Sequence, residues 1–151
     1  MSMRFVNGSF IDAKENILVH QVNCVGEMAE GVSEQIKERY PDVYSEYRVM
    51  CITQDRRKLL NSVLICKVDE NKYVANIFGQ LSYGWGGKHT NLIALETGLK
   101  KVAEYAQNYH LSVAIPYMLG CEGGASWSEV ERIVARVFAG VDTCLYIQAN
   151  N

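Results

Sequence analysis

The chain has 151 residues, enough for one domain with its own core. Its 48% hydrophobic and 21% charged residues exclude a disordered segment, a collagen-like fibre and a coiled coil. Seventeen acidic against fifteen basic residues give a net charge of −2, so an anionic ligand has to be held by something other than bulk positive charge.

A first short strand is predicted over Met3–Asn7 and ends at Asn7-Gly8. Asn16–Asn23 (NILVHQVN) is β-branched and mostly apolar, the pattern of a strand buried on both faces. A glycine-bearing loop, Cys24–Gly31, leads to a helix over Val32–Arg39, and Pro41 opens a second helix reaching about Met50. Ser62–Val68 and Lys72–Phe78 read as a hairpin, which makes the sheet mixed. A long helix over Asn91–Asn108 carries Leu92, Leu95, Leu99, Val102, Ala106 and Tyr109 on one stripe. A strand at Leu111–Ile115, a second glycine loop, a helix over Trp127–Phe138 and a last strand at Asp142–Gln148 complete the chain. Ser126 and Glu129 have capping-box spacing. The alternation predicts a single α/β domain over 1–151, with helices on both faces of the sheet and the strand-to-helix loops along one edge.

No apolar run is long enough to span a bilayer, and Met-Ser-Met-Arg-Phe has no basic-then-apolar signal, so a cytoplasmic location is expected. The five cysteines show no C-x-x-C spacing, no metal-ligand cluster is visible and no cofactor is expected. Gly84-Trp-Gly-Gly87-Lys88-His89 departs from a P-loop, because Ser82 and His89 stand where glycine and Ser/Thr are required.

The informative feature is a pair of glycine loops in the same topological place. Gly26–Gly31 and Gly120–Gly124 each follow a buried strand and feed a helix. Glycine allows close backbone approach, and free N–H groups at a helix start make an anion cradle. Each loop alone is equally a tight turn; two on one edge point to a phosphate-bearing ligand.

The block His20-Gln-Val-Asn-Cys-Val-Gly-Glu-Met-Ala-Glu-Gly-Val-Ser33, with Ile36 and Tyr40-Pro41, resembles the first ligand loop of macrodomains. Val74–Gln80, Tyr83-Gly84 and Thr90…Leu95 resemble the middle of that fold, and Ile115–Cys121 with Gly123, Gly124 and Trp127 resembles its second ligand loop. The similarity is greatest to the branch of ADP-ribose 1″-phosphate phosphatases and small deacylating macrodomains. It implies a three-layer α/β/α sandwich around a mixed sheet, with a cleft for ADP-ribose or an ADP-ribosylated protein.

The resemblance places Ser9 and Phe10 beside the adenine, Asn23 on the distal ribose, and Glu27, Met28, Gly31 and Val32 along the diphosphate and that ribose. It places Leu119, Gly120, Cys121, Gly123 and Gly124 around the diphosphate from the other side, with Tyr146 in the adenine wall. It also implies hydrolysis at the distal ribose, with His20 and Glu122 handling protons. His20 equally suits a hydrogen-bonded core histidine, Glu122 a solvated loop acid, Asn23 a turn former, and Cys24 and Cys121 packing residues. Trp85 is a candidate lid, and Trp127 packs its loop. Three departures stand out: Ser9 replaces an adenine-binding acid, Glu122 is the only acid in the second loop, and Gln80 lies where the deacylating subgroup has a lysine. A non-catalytic ADP-ribose-binding module is the alternative. A polyadenylate or other nucleic-acid reader is disfavoured by the acidic balance, and membrane association is not expected.

Overall fold

The computed structural model describes residues 3–83 and 89–148. Trp85 and the glycines beside it, and with them the lid expectation, lie outside the described residues. The strands are β1 (Arg4–Asn7), β2 (Ile17–Asn23), β3 (Val63–Asp69), β4 (Lys72–Gln80), β5 (Val113–Pro116) and β6 (Thr143–Ile147). The helices are α1 (Gly31–Arg39), α2 (Pro41–Thr53), α3 (Arg56–Leu59), α4 (Leu92–Tyr109) and α5 (Trp127–Val137). Short 3-10 turns occupy Phe10–Asp12 and Cys121–Gly123.

The six strands lie in the order β1-β6-β5-β2-β4-β3. All neighbours pair in parallel except the β3–β4 hairpin, so the sheet is mixed, as the sequence implies. After β2 the chain builds outward to β3 and β4, and α4 then carries it back across to β5 on the other side of β2. That reversal leaves a crevice beyond the carboxyl ends of β2 and β5, the place where ligands sit in such sheets.

Period-two alternation along β2 divides the interior. Ile17 and Val19 join Leu95, Leu99, Val130 and Ile133 in the core under α4 and α5. Leu18 and Val22 join Phe10, Ile36, Val43 and Tyr47 under α1 and α2. Helices therefore cover both faces, giving three layers. Among the described residues no helix is long and apolar enough to cross a membrane.

Two local expectations change. Ser126 stands at the start of α5, but its hydroxyl pairs with that of Ser128 at 3.0 Å and does not cap the helix. Tyr109, at the end of the α4 stripe, is 62% exposed, with its ring against Tyr105 at 4.7 Å between centroids. The charged run Asp55–Lys58 opens α3, with Asp55 Oδ1 accepting from the Arg57 amide at 2.8 Å.

Candidate functional site

A cleft of about 400 Å³ opens at the β2–β5 crevice. One wall is the β2–α1 loop and the first turn of α1, lined by Asn23, Glu27, Gly31, Val32 and Ser33. The facing wall is the β5–α5 loop, lined by Leu119, Gly120, Glu122 and Gly123. His20 and Gln80 border the floor between them. The two loops thus meet on one cavity.

The walls use their backbones differently. Glu30 at the start of α1 supplies no side-chain cap, and the amides of Gly31, Val32 and Ser33 take no partner among the described hydrogen bonds. Those N–H groups and the helix dipole make an anion receptor. The second loop instead turns back on itself. The Cys121, Gly123 and Gly124 amides donate to the carbonyls of Met118, Gly120 and Cys121 at 2.9, 3.2 and 2.9 Å. Gly120 and Gly124, at φ of 80° and 93°, permit that reversal, which side chains with a Cβ resist. Only the Gly120 and Glu122 amides of its turn, among the described residues, are left without a hydrogen bond.

What the second wall presents is a carboxylate. The Glu122 side chain reaches across to Gly31, where a Cβ added to that glycine would lie 2.6 Å from Oε2. Burial, and then the nearby Glu30, hold the Glu122 carboxyl above the usual carboxylate range. The wall itself is braced from below. Gln21 Nε2 donates to Gln80 Oε1 and to Thr90 Oγ1, both at 2.8 Å, and Thr90 Oγ1 donates to the Gly120 carbonyl at 2.7 Å. Sequence reasoning missed Gln21 and Thr90 as supports, since nothing in their spacing signals a shared partner.

Three carboxylates border the cleft, Glu27, Glu30 and Glu122, and no lysine or arginine does so among the described residues. Among the described residues, anion recognition here therefore falls to main-chain amides and neutral polar side chains. Among those residues no group of three metal-ligating side chains converges either.

A macro domain family model matches residues 19–134, the span that holds both cleft walls. The chain belongs to the Macro domain family. This macrodomain is 26% identical over 148 residues to a "DNA ADP-ribosyl glycohydrolase" of Mycobacterium tuberculosis, a match covering 93% of this chain. The chain spans only 40% of that relative's length. The solved macrodomain of Mycobacterium tuberculosis DarG is 26% identical, with a TM-score of 0.81 over 95% of this chain and 96% of that one. Thermosipho africanus DarTG in complex with ADP-ribose shares the fold at 21% identity and a TM-score of 0.77, covering 97% of this chain and 41% of that one.

Several residues that the resemblance assigns to the ligand lie away from the macrodomain's cleft lining. Phe10 and Met28 are buried in the core beneath α1 and α2, each 1% exposed. Tyr146 packs with them, and its hydroxyl donates to Glu15 Oε1 at 2.7 Å. Ser9 stands at the start of the first 3-10 turn, Cys121 turns its thiol toward the Leu119 carbonyl, and Gly124 ends the second turn. Asn23 borders the cleft, but its amide organises the first loop. Its Oδ1 accepts from the Val25 and Glu27 amides at 3.1 and 3.3 Å and from the Tyr47 hydroxyl at 2.7 Å.

His20 is 1% exposed. Its Nε2 lies 2.6 Å from Asn76 Oδ1, the opposite residue on β4, and its Nδ1 lies 3.1 Å from Ser33 Oγ. Burial pushes its pKa down to about 4, only partly offset by the Asn76 hydrogen bond. The imidazole is therefore neutral at ordinary pH, with both nitrogens engaged.

Proposed function

We propose that this macrodomain binds an ADP-ribosyl group, with the diphosphate on the first turn of α1, and hydrolyses the bond at C1″ of the distal ribose. The observation that carries this reading is the set of three amides at Gly31–Ser33, without a partner among the described residues, that faces the Glu122 carboxyl across the cleft. A diphosphate has the charge and oxygen spacing that such a helix start accepts without a cation. The same ligand class is supported by Thermosipho africanus DarTG, which shares this fold and is solved in complex with ADP-ribose.

In the reaction, water attacks C1″ as the bond from C1″ to the departing atom breaks. Glu122, whose carboxyl burial holds above the usual carboxylate range, passes a proton to the departing atom and regains one from the attacking water. The amides fix the diphosphate so that C1″ and Glu122 stay aligned, which supplies the orientational part of the rate. The relatives named as DNA ADP-ribosyl glycohydrolases support a substrate whose ADP-ribosyl group is joined to another molecule.

The test follows release of ADP-ribose from an ADP-ribosylated DNA oligonucleotide and from a protein modified on acidic side chains, and of phosphate from ADP-ribose 1″-phosphate. The expected result is turnover of at least one substrate, lost by a factor of ~100 or more in Glu122→Gln while calorimetric binding of ADP-ribose persists. Release that is untouched by Glu122→Gln overturns the role of that carboxyl.

A non-catalytic binding module is the second reading. It is favoured by Gln80, whose amide is tied to Gln21 and to the Ser82 carbonyl and offers no nucleophile. Tight ADP-ribose binding with no release from any of the three substrates would establish it.

A further inference from the structure

A ribose diol needs a hydrogen-bond acceptor on the wall that holds the diphosphate, and the Asn23 carbonyl oxygen already serves three donors. Ser33 lies on the same wall, in the first turn of α1, with its part-buried side chain at the cleft. Its hydroxyl has two acceptors in reach, and both lie inside the protein: His20 Nδ1 at 3.1 Å and the Gln21 carbonyl at 3.4 Å.

The state of His20 follows from its other neighbour. Asn76 Nδ2 donates to the Leu64 carbonyl at 2.9 Å, which turns Asn76 Oδ1 toward the imidazole. An oxygen acceptor at 2.6 Å requires the proton on Nε2, so Nδ1 carries a lone pair and the Ser33 hydroxyl donates to it. A hydroxyl has one proton and two lone pairs. With the proton drawn inward, Ser33 Oγ can only accept from the cleft side. Such an oxygen welcomes a sugar hydroxyl and repels a phosphate oxygen.

We infer that Ser33 Oγ, oriented by His20 and Asn76, accepts a hydrogen bond from a hydroxyl of the distal ribose and so fixes which end of the ligand lies against the first turn of α1. The inference rests on the ADP-ribosyl reading above. The helix-start amides of Gly31–Ser33 then take the diphosphate, and the sugar follows it at the Ser33 hydroxyl. His20 is a positioning residue in this arrangement; it acts through Ser33 and carries no proton to the reacting atoms.

Calorimetric titration with ADP-ribose and with ADP tests this, because ADP keeps the diphosphate but lacks the distal sugar. In Ser33→Ala, ADP-ribose affinity is expected to fall by about tenfold, the size of one good hydrogen bond, with ADP affinity unchanged within about twofold. Ser33→Thr keeps a hydroxyl and recovers most of the loss. His20→Leu removes the nearer of the two inward acceptors without supplying another and lowers ADP-ribose affinity selectively, and adding it to Ser33→Ala causes no further loss, since both changes act on one interaction. Equal weakening toward both ligands, or none toward ADP-ribose, overturns the inference while leaving the ADP-ribosyl reading in place. A wild-type protein that binds neither ligand overturns both.

Discussion

The two glycine loops look equivalent as text and behave as opposites in space. The loop before α1 leaves its helix-start amides open to the cleft, whereas the loop before α5 spends most of its amides on its own 3-10 turn. Gly31 at φ 60°, having no side chain, leaves room for the Glu122 carboxyl over the helix start; Gly120 and Gly124 let a chain reverse. One wall therefore receives an anion and the other delivers an acid. A glycine cluster reports a backbone need, and only the hydrogen bonds around it say whether that need is recognition or closure.

Paired substitutions break this contrast most directly. In Gly31→Val the new side chain occupies the receptor, and ADP-ribose affinity is expected to fall by ~100-fold or more, with a stability loss of only about 1–3 kcal/mol from the strained φ. In Gly124→Val the order reverses: stability falls by about 1–3 kcal/mol, while the affinity of the folded fraction changes by less than about threefold. Calorimetry and urea denaturation on both variants measure the two effects; affinity lost equally in both would erase the distinction between the walls.

Acid sharpens the comparison from beneath the first wall. His20 holds Ser33 in the first turn of α1, and its folded pKa, near 4, lies below the ordinary value of 6.5 because the site is buried. The unfolded chain therefore binds the proton first, and the native state loses stability as pH falls from about 6.5 toward 4, by roughly 3 kcal/mol from this group. Above that window the contribution is constant. Urea midpoints between pH 7 and pH 4.5 check this, and a His20→Gln protein should show a shallower decline. An equal decline in that variant would mean that other groups dominate.

The smallest expected effect concerns the loop's support. The Tyr47 hydroxyl, on α2, lies 2.8 Å from the Asn23 main-chain carbonyl and 2.7 Å from the Asn23 side-chain oxygen, with one proton to share between them. Tyr47→Phe leaves Asn23 with its two amide donors, and a loss of about 1 kcal/mol in chemical denaturation is expected. ADP-ribose affinity should fall by only a few-fold. A larger fall would place Tyr47 in the recognition of ligand itself.

Much of the architecture was readable beforehand because it rests on local pattern. The alternation in β2, the stripe Leu95–Leu99–Val102 of α4 and Pro41 at the start of α2 each declare an element within a few residues. The placement of both loops on one edge follows from parallel strands and right-handed crossovers. The short helix α3 was not readable, because three charged residues and one leucine carry no periodicity and their end is fixed by burial of Leu59.

By itself the sequence determined the strands and the longer helices, and that two glycine loops share the carboxyl edge of the sheet. Only the tertiary structure decided that Asn23 is a loop brace, that His20 is buried and neutral, and that Glu122 crosses to Gly31. The reason is range. Hydrophobic period is written between neighbours, but the partners that set a polar group's role lie far off in the chain: Asn76 stands 56 residues from His20, and Tyr47 stands 24 from Asn23. Burial and hydrogen-bond satisfaction are properties of the packed whole, so the chemistry of this cleft exists only once both faces of the sheet are covered.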